Sequence, residues 1–199
     1  MKKKCKRALL IMIVALLAVA WVWRYYTLND YYSSRSSRHQ EFFSSGDMVP
    51  FGTDYIAQSV YAEGYTLRVD DFEIVDFDEY ITNLGLDIER DTFDPEKLAL
   101  VYITLRNENS EAQGVMLTEL ELHGLDSTVG MNWSLLLSVN PVLDGNYGIS
   151  LRQGSEYSLI LPYNLQEEYF GYDTWRQIHE YSFWLQITGY PTQKEILVQ

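Results

Sequence analysis

The sequence predicts an all-β, antiparallel domain with one or two short helices, carried outside a membrane by a single N-terminal transmembrane helix. Three observations lead there. Lys2, Lys3, Lys4, Lys6 and Arg7 stand before an uncharged apolar run from Ala8 to Trp23, the pattern of a segment whose cationic end stays in the cytoplasm. Beyond residue 47, apolar and polar residues alternate in short stretches bounded by turn residues, which is the period of strands. Cys5 is the sole cysteine, so the exported part has no internal disulfide and no cysteine-based zinc site. It must rest on a hydrophobic core, for which about 150 residues suffice.

Residues 1–7 read as the cytoplasmic tail and residues 8–26 as the anchor. The sixteen residues of the apolar run span about 24 Å as a helix, short of the roughly 30 Å hydrocarbon core. The flanks supply the rest. Arg7 and Arg24 can lay aliphatic stems along the helix, while Trp21, Trp23, Tyr25 and Tyr26 suit the interface. The competing reading is a cleaved signal peptide, because Ala18-Val19-Ala20 has the small-x-small form of a cleavage site. No polar stretch separates it from the run, and apolar character continues through Trp23. A retained anchor, N-terminus inside, is the expectation.

Residues 27–46 are polar, with Ser33, Ser34, Ser36, Ser37, Ser44 and Ser45 and no apolar period. They read as a flexible tether. The folded domain is then residues 47–199. Charge is polarised along the chain: residues 1–24 carry six of the 15 Lys/Arg and none of the 28 acids, which leaves residues 25–199 at −19. Such a domain repels polyphosphate and anionic lipid, which argues against nucleic acid as a partner.

Tyr65, Leu67 and Val69 alternate with Thr66, Arg68 and Asp70, and Phe72, Ile74 and Phe77 follow. Leu98 to Leu105 is apolar on both phases except Thr104, as expected of a central strand covered on each side. Val115, Leu117, Leu120 and Leu122 read as one strand with a one-residue slip, a bulge. Met131, Trp133, Leu135 and Leu137 read as the next, with Trp133 in the core. Tyr147–Leu151, Tyr157–Leu161, Tyr181–Thr188 and Glu195–Val198 complete the set. Helical signals are confined to Asp78–Leu84 and Tyr172–His179. Eight or nine short strands of this kind mean a sandwich or barrel.

The run Glu63-Gly64-Tyr65-Thr66-Leu67-Arg68-Val69, with Phe72-Glu73-Ile74 and Asp78-Glu79-Tyr80, resembles the first conserved block of a family of membrane-anchored, functionally uncharacterised proteins of Gram-positive bacteria. Leu100–Asn109, Arg152-Gln153-Gly154 with Tyr157–Leu161, and Gly189-Tyr190-Pro191-Thr192 are similar in the same way. That family is related in pattern to extracellular immunoglobulin-like, telokin-like lipoprotein domains. The resemblance covers roughly residues 40–199 and implies an immunoglobulin-like β-sandwich outside the cell. It implies no functional residue. The chain departs from the lipoprotein relatives in having its cysteine before the apolar run.

Candidate chemistry is thin. Asp87, Glu89 and Asp91 have the spacing of the first ligands of a calcium loop, but Thr92 and Leu98 stand where the glycine and the bidentate Glu belong. A solvated loop is expected there. Asp70, Asp71, Glu73, Asp76, Asp78 and Glu79 offer carboxylate pairs of the kind glycoside hydrolysis needs, although acids on the outer face of a strand look the same. His39, His123 and His179 are too scattered for a metal pattern. Trp175, Tyr169, Tyr172 and Tyr181 crowd one segment, where rings can stack on a ligand or dock into the core. Core docking is expected of Trp175, and Trp184, out of phase with Phe183 and Leu185, should lie on the other face. No catalytic, cofactor or metal residue is therefore assigned. The expectation is a non-enzymatic, membrane-tethered binding module for a protein or cell-envelope partner. A carbohydrate-binding module for wall glycans and a carboxylate-dependent hydrolase are the alternatives.

Overall fold

The computed structural model describes residues 12–26, 39–57, 62–86, 94–108, 114–124 and 127–199. The chain divides into two compact units, Met1–Arg38 and His39–Gln199. In the first, residues 12–26 form a helix, α1, with exposed side chains. Trp21 stacks on Tyr25 one turn later, ring centroids 5.8 Å apart, as i,i+4 spacing allows. Among the described residues no helix is long and apolar enough to cross a membrane. The expected span starts at Ala8, and residues 8–11 lie outside the described residues, as do residues 27–38 of the expected tether.

The second unit is mostly β-sheet. Its described strands are β1 (His39–Phe43), β2 (Val49–Pro50), β3 (Tyr65–Asp76), β4 (Lys97–Asn107), β5 (Val115–Met116), β6 (Glu121–Gly124), β7 (Ser127–Val129), β8 (Gly148–Ile149), β9 (Glu156–Leu165), β10 (Phe183–Thr188) and β11 (Thr192–Val198). One sheet has the order β1-β11-β10-β6-β7 and another β2-β3-β4-β9, with β5 and β8 as a separate pair. Pairing is antiparallel except where β1 runs parallel to β11. Both large sheets feed one hydrophobic core: Leu67, Val101, Ile103 and Leu161 from the four-stranded sheet, Leu122, Leu185, Ile196 and Val198 from the five-stranded one.

β4 is flanked by β3 and β9 and is buried on both faces, as its doubly apolar sequence requires. Ala99, Val101, Ile103 and Leu105 point into the main core. Leu98 and Leu100 point the other way, into a second cluster with Phe77 and Ile81 of α2 (Phe77–Leu84) and Leu135 of α3 (Trp133–Val139). α2 forms where expected. The Asp76 carboxylate accepts from the N–H groups of Asp78 and Glu79 at 3.1 and 3.3 Å, and Gly85, at φ 66°, ends the helix in the left-handed conformation.

Four expectations are corrected. His39–Phe43 is a strand and not tether, so the compact unit starts ahead of Asp47. An edge strand in parallel register is held by main-chain bonds and needs no side-chain period. Residues 133–139 are a helix, not a strand, because the Asn132 side chain accepts from Leu135 N–H at 3.0 Å and caps it. Trp133 then projects outward, over a third exposed, and meets Tyr147 edge to face. The slip between Leu117 and Leu120 is a 3-10 turn at Leu117–Glu119 and not a bulge. All four apolar residues of that stretch are nevertheless buried.

Lys194 on β11 is buried. Its ammonium donates to the carbonyls of Pro50 and Phe51 at 3.1 and 3.0 Å and to Asp54 at 3.3 Å. Burial alone would raise the Asp54 carboxyl, but its own backbone hydrogen bond and the Lys194 charge hold it below the usual range.

Candidate functional site

Asp70 and Asp71 share one face because β3 carries a bulge. Val69 pairs with Ile103 and Asp71 with Tyr102, which leaves Asp70 as the extra residue. Before the bulge the odd-numbered Tyr65, Leu67 and Val69 face the main core; after it Phe72 and Ile74 do. Two successive carboxylates therefore stand on the outer face, which strict alternation forbids.

They line an open cavity of about 470 Å³ on that face. Tyr102 of β4 and Ser158 and Ile160 of β9 form its floor. The end of α3, with Val139 and then Asn140 and Pro141, forms the wall opposite the carboxylates. Tyr157 lies at the rim, two-fifths exposed. The cavity opens where α2 and α3 cease to cover the sheet, beyond Tyr102 and Ile160 at the border of the second hydrophobic cluster.

The two carboxylates differ in their engagements. Asp70 is held by the Arg68 guanidinium at 2.5 Å and by the buried Thr104 hydroxyl at 2.5 Å, and Thr104 also lies 3.2 Å from the Ser158 hydroxyl. Asp71 is exposed and, among the described residues, accepts only from the adjacent Phe72 N–H, at 2.9 Å. The Tyr102 hydroxyl donates to Glu73. Burial first, and then that bond, push the Tyr102 phenol far above its ordinary range, so it stays a donor. On the opposite wall the Asn140 side chain is saturated. Its amide nitrogen donates to the carbonyls of Leu136 and Ile160 at 2.8 and 2.7 Å, and its oxygen accepts from Ile160 N–H at 2.9 Å.

The other candidates are dispersed. Asp76 is the α2 cap, and Asp78 and Glu79 sit in the first turn, where negative charge suits the helix dipole. Asp87, Glu89 and Asp91 lie outside the described residues. Among the described residues no three His, Cys, Asp or Glu side chains are grouped to hold a metal. His39 is exposed beside Glu41 at 3.3 Å, His123 shares a bond of 3.3 Å with Thr128, and His179 is exposed in the 3-10 turn Ile178–Glu180.

The C-terminal rings split. Between α4 (Glu167–Phe170) and α5 (Tyr172–Trp175) lies Gly171, and Trp175 returns to stack on buried Phe170, centroids 6.3 Å apart, against the main core. Tyr181 is half-buried, edge-on to Phe183. Tyr169 and Tyr172 are exposed, the latter under Arg176. Trp184 lies on the outer face of the five-stranded sheet, edge to face with exposed Phe42.

Of the sequence candidates among the described residues, Asp70 and Asp71 are the two that line the cavity together. Sequence reasoning missed Tyr102, Asn140 and Ser158 as lining residues. One signal was available: core phase passes from Val69 to Phe72, a step of three where a strand takes two.

A family model described as a domain of unknown function (DUF5028) matches residues 40–194, and the chain belongs to that family. No curated protein and no solved structure matches it.

Proposed function

We propose that this member of the DUF5028 family is a membrane-tethered, extracytoplasmic binding module with an immunoglobulin-like sandwich fold, and that its ligand site is the cavity beside Asp71. The N-terminal cation cluster, the apolar run and the interfacial rings support the anchor and its orientation. The resemblance to membrane-anchored proteins of Gram-positive bacteria supports the same location. The sheet order β11-β10-β6-β7, running last strand, penultimate strand and then an earlier hairpin, matches the G-F-C-C′ order of variable-type immunoglobulin domains. With β6 in the place of strand C, β3, β4 and β9 of the partner sheet stand in the places of A, B and E.

The observation that carries the binding reading is the bulge, which places a carboxylate with no side-chain partner among the described residues in a cavity with one apolar wall. Concave sites with few convergent polar groups suit ligand capture. A hydrolase would need two carboxylates free for acid and base work, whereas Asp70, Glu73 and Asp76 are each committed to a structural bond. Wall-glycan binding would draw on coplanar exposed rings, whereas the exposed pair Trp133–Tyr147 meets at 71° and exposed Phe42 meets half-buried Trp184 at 68°.

The test has two arms. Protease added to intact protoplasts should remove the domain, while protein extracted from membranes should retain Cys5. A mature N-terminus at Trp21 would sink the anchor. Affinity capture with the full-length protein should recover a partner that the Asp71→Arg variant, folded equally well, loses; equal recovery by both would move the site elsewhere.

A further inference from the structure

We propose that the cavity beside Asp71 takes a small primary amine in its ammonium form, with an apolar body and no carboxylate, and that it rejects the corresponding amino acid. This rests on the reading of the cavity as the ligand site and names the ligand's chemistry.

Among the described residues, the floor and wall of the cavity have no side-chain proton left to give. A hydroxyl has one proton to donate and an amide nitrogen two. Thr104 donates its proton to Asp70 at 2.5 Å, so in the 3.2 Å contact between Thr104 and Ser158 it is Ser158 that donates. The Tyr102 hydroxyl donates to Glu73. Asn140 spends both amide protons on the carbonyls of Leu136 and Ile160. What remains on offer is lone pairs, on the Ser158 hydroxyl and above all on the Asp71 carboxylate. A ligand carboxylate or carbonyl would give up its water here and find no side-chain donor in exchange, which is costly. An ammonium brings donors and no acceptor.

Charge points the same way. Arg68 balances Asp70 at 2.5 Å, which leaves the Asp71 charge uncompensated among the described residues. A ligand carboxylate would be repelled by it, and an ammonium attracted.

Shape sets the body of the ligand. Asp71, Tyr102 and Ile160 stand side by side on β3, β4 and β9, so the carboxylate and the apolar side are two strand spacings apart, about 10 Å. With its hydroxyl held by Glu73, Tyr102 between them offers the ligand its ring, a surface that suits both a cation and an apolar group. Val139, Pro141 and Ile160 receive the apolar end. The volume of about 470 Å³ lies within the roughly 300–1,000 Å³ of small-molecule pockets.

The experiment uses the full-length, isotope-labelled protein in detergent micelles and follows the resonances of Asp71, Tyr102 and Ile160. The probe is 2-phenylethylamine. It is compared with 2-phenylethanol, which lacks the charge, and with phenylalanine, which adds a carboxylate to the same skeleton. The amine should shift all three residues and bind about tenfold or more tighter than either analogue. Asp71→Asn keeps an acceptor for the Phe72 N–H and should weaken the amine about tenfold while leaving the alcohol unchanged. Each ligand is compared between the two proteins, so its partition into the micelle cancels. Amine binding indifferent to Asp71→Asn, or equal binding of amine and alcohol at these residues, would overturn the ammonium reading and leave the cavity as a ligand site. Phenylalanine bound as tightly as the amine would mean that its carboxylate finds a donor, and would overturn the exclusion. If none of the three compounds shifted these residues, both proposals would fall.

Discussion

The two faces of the β3–β4–β9 layer are finished in different ways. The inner face meets the five-stranded sheet in one continuous core, where Val101, Ile103, Leu105 and Leu161 are fully buried. Among the described residues the outer face is covered by α2 and α3, eight and seven residues long, and only over Leu98, Leu100 and their neighbours. Beyond Tyr102 the cover ends, and a strand bulge fills the uncovered part with carboxylates. Helices this short have little stability of their own and persist through their caps and the few residues they bury. The inner face holds the fold, and the outer face leaves part of its surface for something else.

The sharpest test of that division compares two leucines of equal burial. Leu161→Ala on the inner face should cost about 4 kcal/mol, and Leu135→Ala under α3 about 2–3 kcal/mol, because short helices can settle into the space left behind. Urea melts would decide it. An outer cost equal to or above the inner one would break the comparison.

Asn140→Ala removes the amide that pairs with Ile160 and ties the end of α3 to β9. A loss of about 2 kcal/mol is expected, with faster exchange of the Ile160 amide while β4 amides keep their protection. Loss of protection throughout β4 would mean that the outer face carries more of the fold than its cover suggests.

Asp76→Ala removes the α2 cap and should cost about 1 kcal/mol, read as faster exchange of the Asp78 and Glu79 amides. A neutral result would show α2 to be held by Phe77 and Ile81 alone.

The smallest effect concerns the ion pair that ties β11 to the segment after β2. The Asp54 carboxyl is lowered when folded, so its contribution is present above the usual carboxylate range. It is lost as pH falls through the lowered folded value. The melting temperature of Asp54→Asn should therefore lie slightly below that of the wild type at neutral pH and converge with it in acid. A gap that widened as pH fell would reverse the assignment.

Much of the fold was legible because it depends on local period. The alternation at Tyr65–Val69 and Phe183–Ile187, the doubly apolar run of β4 and the helical signal at Asp78–Leu84 are all written in adjacent residues, and each appears where the sequence places it. Leu135 and Leu137 misled for a physical reason. In a run of seven residues, three leucines together satisfy a strand or a helix, and the choice fell to the Asn132 cap and the cluster beneath Leu135. β1 escaped notice because main-chain pairing with β11 leaves no mark on side-chain order.

By itself the sequence determined the buried residues of most strands, the position of α2 and the charge contrast between the first 24 residues and the rest. The tertiary structure decided the site. Asp70 and Asp71 are neighbours in any conformation, but only the bulge against Ile103 and Tyr102 turns both to one face. Asn140 and Ser158 are 18 positions apart and meet the cavity only because α3 ends beside β9. Pattern reports which residues avoid water; which edge and which hollow remain open depends on where the covering elements stop, and that is fixed by contacts between segments distant in the chain.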